Sequence, residues 1–318
     1  MWFALFLACV DPDAAHVSAD TDATVFEVPA GATANGIGDR LIADGFVDSK
    51  LTWKMFLRGR DLSCLKAGKF SVRKQMSLNQ LADTLCGPPL AEDEPFTVIE
   101  GWRIRDIDAA LVAKGWIKPG EYTDLAMKKG VDLPFAVPSP TLEGYLYPET
   151  YRIEPKKFSA KGLIERQLTT FQARFLTAHQ AEVDAGRGLH AIVVMASMLE
   201  REEPKPTQRP ITAGILWKRI DGGWALGVDA TSRYELAEWN DRDAFMKHLR
   251  DPDDVYNTRL RTGLPPTAIG NPTVNALESA LRPVASEWWY YLHDKQQVFH
   301  GGKNAEEHEA NRKKYDIW

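Results

Sequence analysis

Signatures for metal and nucleotide chemistry are missing from this 318-residue sequence. It holds no HExxH pair, no P-loop and no complete GxGxxG; Asn35-Gly36-Ile37-Gly38 matches only half of the last. The common motif-borne routes to zinc hydrolysis, phosphoryl transfer and dinucleotide chemistry therefore have no support. Cysteine is scarce. Cys9, Cys64 and Cys86 are too few and too scattered for a zinc site or a disulfide framework. A Cys64–Cys86 bridge is conceivable in an oxidising compartment but is not expected. Excess positive charge is missing too: the net charge is −5 and the pI near 5.9, which argues against nucleic acid as a partner. No long charged tail occurs at either end.

A full membrane-spanning run is also lacking. MWFALFLACV is apolar but stops at ten residues, against the roughly 20 that a span needs. A basic n-region, the mark of a signal peptide, does not precede it. Residues 1–20 have two readings, of which one is the remnant of a membrane anchor whose start was lost to a late start codon. The alternative is a lipoprotein signal in which Leu7-Ala8-Cys9 is the cleavage box. Either origin places the body of the protein outside the cytoplasmic membrane.

What is present is ordinary globular material. Hydrophobic residues make up 44% and charged residues 26%, enough for one large core or two smaller ones. Residues 21–90 read as a small α+β domain. ATVFEVPAG is a strand closed by a turn, and apolar Ile37, Leu41 and Ile42 at helical spacing follow, ending at Gly45. DSKLTWKMFL opens with a cap and continues helically; LKAGKFSV is a turn and strand. Ser77 then caps SLNQLADTL. Pro88–Pro95 reads as a linker. Beyond it lie a strand (FTVIEGW), an amphipathic helix (IRDIDAALVAKGW), a turn-rich stretch and a helical region from Phe158 to Glu182. QRPITAGILWKRI, with Pro210 in its first turn, is a further helix.

The stretch LHAIVVMASMLEREEP, residues 189–204, organises this second part. Its apolar residues lack strand alternation and suit a helix buried nearly all round. Pro204 cannot continue that helix, so Glu200, Glu202 and Glu203 sit where a buried element surfaces. A carboxyl there can be half desolvated, which raises its pKa and fits it for general-acid work. The plainer account is a solvated helix end, although acids at a C-terminus oppose the macrodipole.

Ordered blocks along the chain favour the first account. FEVPAG (26–31), KAGKF (66–70), VIEGW (98–102), LEGYLYPETY (142–151), ASMLERE (196–202), LGVDAT (226–231), YNT (256–258) and GLPPTAIGNP (263–272) are weak singly and specific together. With them the chain resembles the endolytic murein transglycosylases, the MltG or YceG-like family, from about Thr24 to the C-terminus. The resemblance implies an α+β protein: a LysM-like glycan-binding subdomain followed by a larger mixed α/β catalytic domain over residues 95–318. It implies that Glu202, second glutamate of the E-x-E, is the catalytic acid. It further implies peptidoglycan strands as substrate, penicillin-binding cell-wall synthases as partners, and a place at the outer face of the inner membrane or in the periplasm.

The implied chemistry suits one dominant carboxyl. A lytic transglycosylase breaks the β-1,4 bond between N-acetylmuramic acid and N-acetylglucosamine by attack of the muramyl C6 hydroxyl on its own C1. The nucleophile is tethered, so proximity replaces the second carboxylate that a hydrolase needs. No metal or organic cofactor is required.

Other candidates have two readings each. Glu200 lies about 200° from Glu202 on a continuing helix and reads as structural. Glu143 is a second acid, a sugar ligand or a buried ion-pair member. Tyr145, Tyr147 and Tyr151 alternate, so a strand would present them on one face as a sugar-stacking floor; aromatic core is the more frequent use. Asp229 orients substrate or Glu202, or caps a helix near Thr231. Tyr256 and Asn257 hydrogen-bond N-acetyl groups, or hold the loop containing Leu264 and Pro265, which reads as a cleft wall. His308 is expected to make a structural hydrogen bond, and neither it nor His300 has a second ligand at metal spacing. Gly227, Ala230, Arg259 and Gln297 depart from the family pattern, and the patch Glu287-Trp288-Trp289-Tyr290 is unusual. These departures keep open a non-catalytic scaffold that binds glycan or synthase. A water-using muramidase would need a second carboxylate about 5–10 Å from Glu202, for which Asp229 and Glu143 are the nominees.

Overall fold

A computed structural model describes residues 10–18, 20–90 and 92–317. Residues 1–9 of the N-terminal apolar run, Cys9 among them, lie outside them. The chain divides into two units, Met1–Asp93 and Glu94–Trp318.

In the first unit, strand β1 (Ala23–Val28) pairs antiparallel with β2 (Gly68–Arg73), Val28 opposite Gly68. Phe26 and Val28 on β1 and Phe70 and Val72 on β2 face inward, as period-2 alternation requires. Helices α1 (Ala34–Ala43), α2 (Lys50–Gly59) and α3 (Leu78–Cys86) cover that face. Thr33, Ser49 and Ser77 cap them, and Ser77 forms a full capping box with Gln80. Gly38 lets α1 approach Trp53 of α2, since a Cβ there would stand 2.1 Å from the indole. One expectation fails: Cys64 and Cys86 are disulfide-bonded, tying the end of α3 to the loop after α2. Their 22-residue separation along the chain hides the neighbourhood that the packing of α3 creates.

The second unit is helical around one buried element, with small antiparallel ribbons. Strand β3 (Glu94–Thr97) starts inside the expected linker and pairs with β4 (Thr150–Ile153). Between them lie α4 (Ile104–Ala113) and α5 (Glu121–Lys128). The helical region after Phe158 is two helices, α6 (Ala160–Phe171) and α7 (Thr177–Ala185), joined by a wider turn over Gln172–Leu176. Helix α8 (Leu189–Glu202) follows, buried from Ile192 to Leu199. Helices α9 (Arg209–Asp221), α10 (Arg242–His248) and α11 (Val274–Leu281) come next. The hairpin of β5 (Tyr290–His293) and β6 (Phe299–Gly302) and helix α12 (Ala305–Tyr315) end the chain.

Several of the sequence blocks meet at one side chain. Asn271 is fully buried; its Oδ1 accepts the N–H groups of Gly144 and Leu146, and its Nδ2 donates to the Trp102 carbonyl. Its backbone exchanges two further bonds with Gly101 and Trp102. Gly270 has φ 157°, and a Cβ there would stand 2.3 Å from the Gly101 carbonyl oxygen, so this close crossing demands glycine. Ser197 of α8 accepts the Ile269 N–H at 3.0 Å and thereby pins the same segment to the central helix.

Candidate functional site

The three acids at the end of α8 point to three different places. Glu200 faces α9 and α11. Arg209 donates to it at 2.7 Å, and the Thr273 N–H and hydroxyl donate at 2.9 and 2.7 Å, with both charged side chains only 7% exposed. This is the structural role expected for it. Glu203 is fully buried at the helix cap, facing His293 Nε2 at 2.8 Å and accepting from the Lys205 N–H and the Thr212 hydroxyl. Glu202 alone opens into a cavity of about 680 Å³.

That cavity is built from α9, the Gly227–Asp229 loop, Arg259, β5 and α12. Burial pushes the Glu202 carboxyl up to about 7, and the neighbouring charge of Asp229 adds to this. The Ala230 N–H, donating to Oε1 at 3.3 Å, opposes the shift, as do His293 and Arg259. Glu202 is therefore substantially protonated at neutral pH while open to a ligand: it can give a proton and take one back.

Asp229 does not cap the short helical turn Thr231–Arg233, whose cap is Ala230. It forms a two-pronged pair with Arg259 instead, at 2.5 and 3.0 Å. Two positions that depart from the resemblance thus lie near each other: Ala230 supplies the N–H to Glu202, and Arg259 holds Asp229.

The remaining candidates are not assembled there. Glu143 is sealed in the core, 1% exposed, where it accepts the Ile104 N–H at the start of α4 and the Tyr234 hydroxyl at 3.0 Å. Burial raises it to about 7 as well, so a raised pKa by itself does not mark the site. Tyr145 lies in a turn, not a strand, fully buried against Phe135 and Phe171 with its hydroxyl unpartnered. Tyr147 and Tyr151 are buried too, and the Tyr151 hydroxyl donates to the Tyr147 carbonyl. The stacking-floor reading lacks the strand it needs, since the TYRI strand starts only at Thr150, and the burial of the three tyrosines matches the aromatic-core reading. Tyr256 bonds Thr267 through its hydroxyl and packs on Tyr234; Asn257 is fully buried, donating to the carbonyls of His248 and Asp251. Both hold loops in shape. Leu264 packs partly buried on the core and Pro265 is buried beside it.

His308 also differs from expectation. Its Nδ1 is buried without a hydrogen-bond partner, and the ring stacks on Tyr290 at 5.2 Å, lining the Glu202 cavity. Burial and the nearby Arg312 and Arg219 hold it below the usual histidine range. His300 bonds Asp294 at 2.9 Å and stacks on Tyr315.

Over residues 26–314 the chain matches the model of the YceG-like family. It belongs to that family. It is 24% identical to the endolytic murein transglycosylase of Bacillus subtilis, over 94% of this chain and 87% of that protein. With the endolytic murein transglycosylase of Streptococcus pneumoniae it shares 22% identity over 89% of its length, spanning 57% of that protein. Among solved structures, a yceG-like protein of Listeria monocytogenes matches with TM-score 0.61 at 24% identity, covering 92% of this chain and 99% of the other. For this YceG-like chain the cavity walls were the least foreseeable part. Arg219, Tyr291, His293 and Arg312 were not among the expected site residues. The two-residue spacing of Tyr291 and His293, in the Trp-rich stretch, was the available signal that one strand face turns toward the acid.

Proposed function

We propose that this protein is a peptidoglycan lytic transglycosylase in which Glu202 serves as general acid and then as base. The supporting observation is the isolation of that carboxyl. It opens into the cavity with its pKa raised to about 7, while Asp229, the other cavity carboxylate, is held by Arg259. A hydrolase would need a second free carboxyl to activate water or form a glycosyl intermediate; a tethered C6 hydroxyl needs none.

Glu202 donates its proton to O4 of the departing N-acetylglucosamine as the C1–O4 bond breaks. The muramyl O6 closes onto C1, and its proton passes to the carboxylate, restoring the acid. The released end is a 1,6-anhydro-muramic acid. The mixed character of the cavity, with arginines, tyrosines and two acids, suits a polar sugar carrying charged substituents. The first unit is read as a LysM-like module that holds longer strands, and endolytic cutting and partnership with the synthases follow from the family resemblance. The Cys64–Cys86 bridge favours an oxidising compartment outside the cytoplasm. Among the described residues no helix is long and apolar enough to cross a membrane.

The test is mass spectrometry of purified glycan strands after incubation with wild type and Glu202→Gln. Anhydro-muramic ends made by wild type alone are the expected result. Reducing ends would make water the nucleophile; strands bound but uncut by wild type would make the protein a scaffold.

A further inference from the structure

The Glu203–His293 pair beside the cavity has no part in a single-carboxyl mechanism, yet it has the build of an oriented base. Glu203 is fully buried, and three donors converge on it: the Lys205 N–H at 3.0 Å, the Thr212 hydroxyl at 3.3 Å and His293 Nε2 at 2.8 Å. A carboxylate accepting from Nε2 fixes the tautomer, so the proton of neutral His293 sits on Nε2 and the lone pair on Nδ1. Nδ1 makes no hydrogen bond to any described residue. The ring is held edge-on between Tyr291 at 6.1 Å and Phe299 at 5.8 Å, and His293 lines the same cavity as Glu202. When the ring carries a second proton, its charge opposes the raised pKa of the Glu202 carboxyl.

We propose that His293 is a second proton carrier in this site, its Nδ1 taking the proton of the muramyl C6 hydroxyl while Glu202 protonates the leaving oxygen. The inference rests on the transglycosylase reading. The C1–O4 bond breaks with its electron pair going to O4, which takes the Glu202 proton. O6 bonds to C1 and gives its proton to Nδ1; the imidazolium then faces the Glu203 carboxylate. Solvent returns a proton to Glu202 and removes one from His293, so the cycle closes without a co-reactant. Splitting the roles frees one carboxyl from having to reach both O4 and O6 in a single event.

The charged and titratable groups that share the cavity with the ring are Glu202, Asp229, Arg219, Arg259, Arg312, Tyr290, Tyr291 and His308, with Glu203 on its Nε2. Arg259 is held in its pair with Asp229.

The experiment counts anhydro ends made by wild type, His293→Gln, His293→Ala and Glu203→Gln across about pH 5 to 9, with and without added imidazole. Gln at position 293 retains a donor toward Glu203, so the fold is kept while the base is lost. We expect both position-293 variants to slow by roughly 100-fold, with imidazole restoring part of the rate of His293→Ala. The acid-side fall of the wild-type profile should vanish in both variants, while the alkaline-side fall set by Glu202 remains. Glu203→Gln should slow roughly 10-fold with circular dichroism unchanged. A wild-type rate in His293→Gln overturns the inference, and so does a loss that imidazole does not repair and that leaves the acid-side fall in place. Absence of anhydro ends from wild type would instead defeat the transglycosylase reading and this inference with it.

Discussion

A proton donor kept protonated by burial must destabilise the fold once it ionises, and this protein allows that cost to be isolated. Burial raises Glu202 from 4.5 to about 7. The folded state therefore holds this proton more tightly than the unfolded chain does. Its contribution to stability is full below pH 4.5 and is lost as pH rises through about 7. The displacement corresponds to about 3 kcal/mol, an upper bound because solvent reaches the carboxyl through the cavity. Glu143 titrates in the same sense and to a similar value, so wild-type stability alone mixes the two. The difference between wild type and Glu202→Gln removes Glu143, which both proteins share. Calorimetric melting should find the two equally stable near about pH 4, with Glu202→Gln the more stable by up to about 3 kcal/mol near about pH 9. For a unit of this size that is roughly 6–12 °C in Tm. Wild-type cleavage should fall as pH rises through about 7, where the folded acid ionises. Melting curves separated by the same amount at every pH, or a variant less stable than wild type under alkaline conditions, would refute the argument that the carboxyl is desolvated.

Three other perturbations separate structure from chemistry. Glu200→Gln removes the counter-ion of a guanidinium only 7% exposed and should cost about 3–5 kcal/mol in denaturant unfolding. Cleavage per folded molecule should be unchanged, and a catalytic loss in a fully folded sample would mean that Glu200 acts in the reaction. Tyr145→Phe deletes a buried hydroxyl that has no partner. It should leave cleavage intact and be neutral or stabilising by up to about 1 kcal/mol; a drop in cleavage would place that hydroxyl on the substrate. Cys64→Ser opens the bridge to Cys86, 22 residues away, and should cost the first unit about 3 kcal/mol in urea unfolding monitored by tryptophan fluorescence. Equal stability of wild type with and without reductant would contradict the bridge.

How much of this was legible in the sequence depended on whether a signal was local. Ser77 with Gln80, Pro210 in the first turn of α9 and the apolar periodicity of α1 and α2 each act within a turn or two, and each element formed where its signal lay. The buried character of α8 was equally plain, since a residue run without a polar face has only the interior to go to. The opposed directions of Glu200 and Glu202 then followed from helix geometry alone. Signals that require two distant segments to meet were not readable. Alternation in LEGYLYPETY suggested a strand, but Asn271, more than a hundred residues later, claims the N–H groups of Gly144 and Leu146 and bends the segment into a turn. The same bend takes Tyr145 into the core. The Cys64–Cys86 bridge and the Glu203–His293 pair are hidden for the same reason, their partners being set by how helices and ribbons dock. Arg259 shows the limit most sharply. Taken singly it is a departure that casts doubt on catalysis; in three dimensions it holds Asp229, the other carboxylate lining the cavity among the described residues, and leaves Glu202 as the free carboxyl. A substitution can therefore count against function in the sequence and support it in the fold, and only the position of its partner decides which.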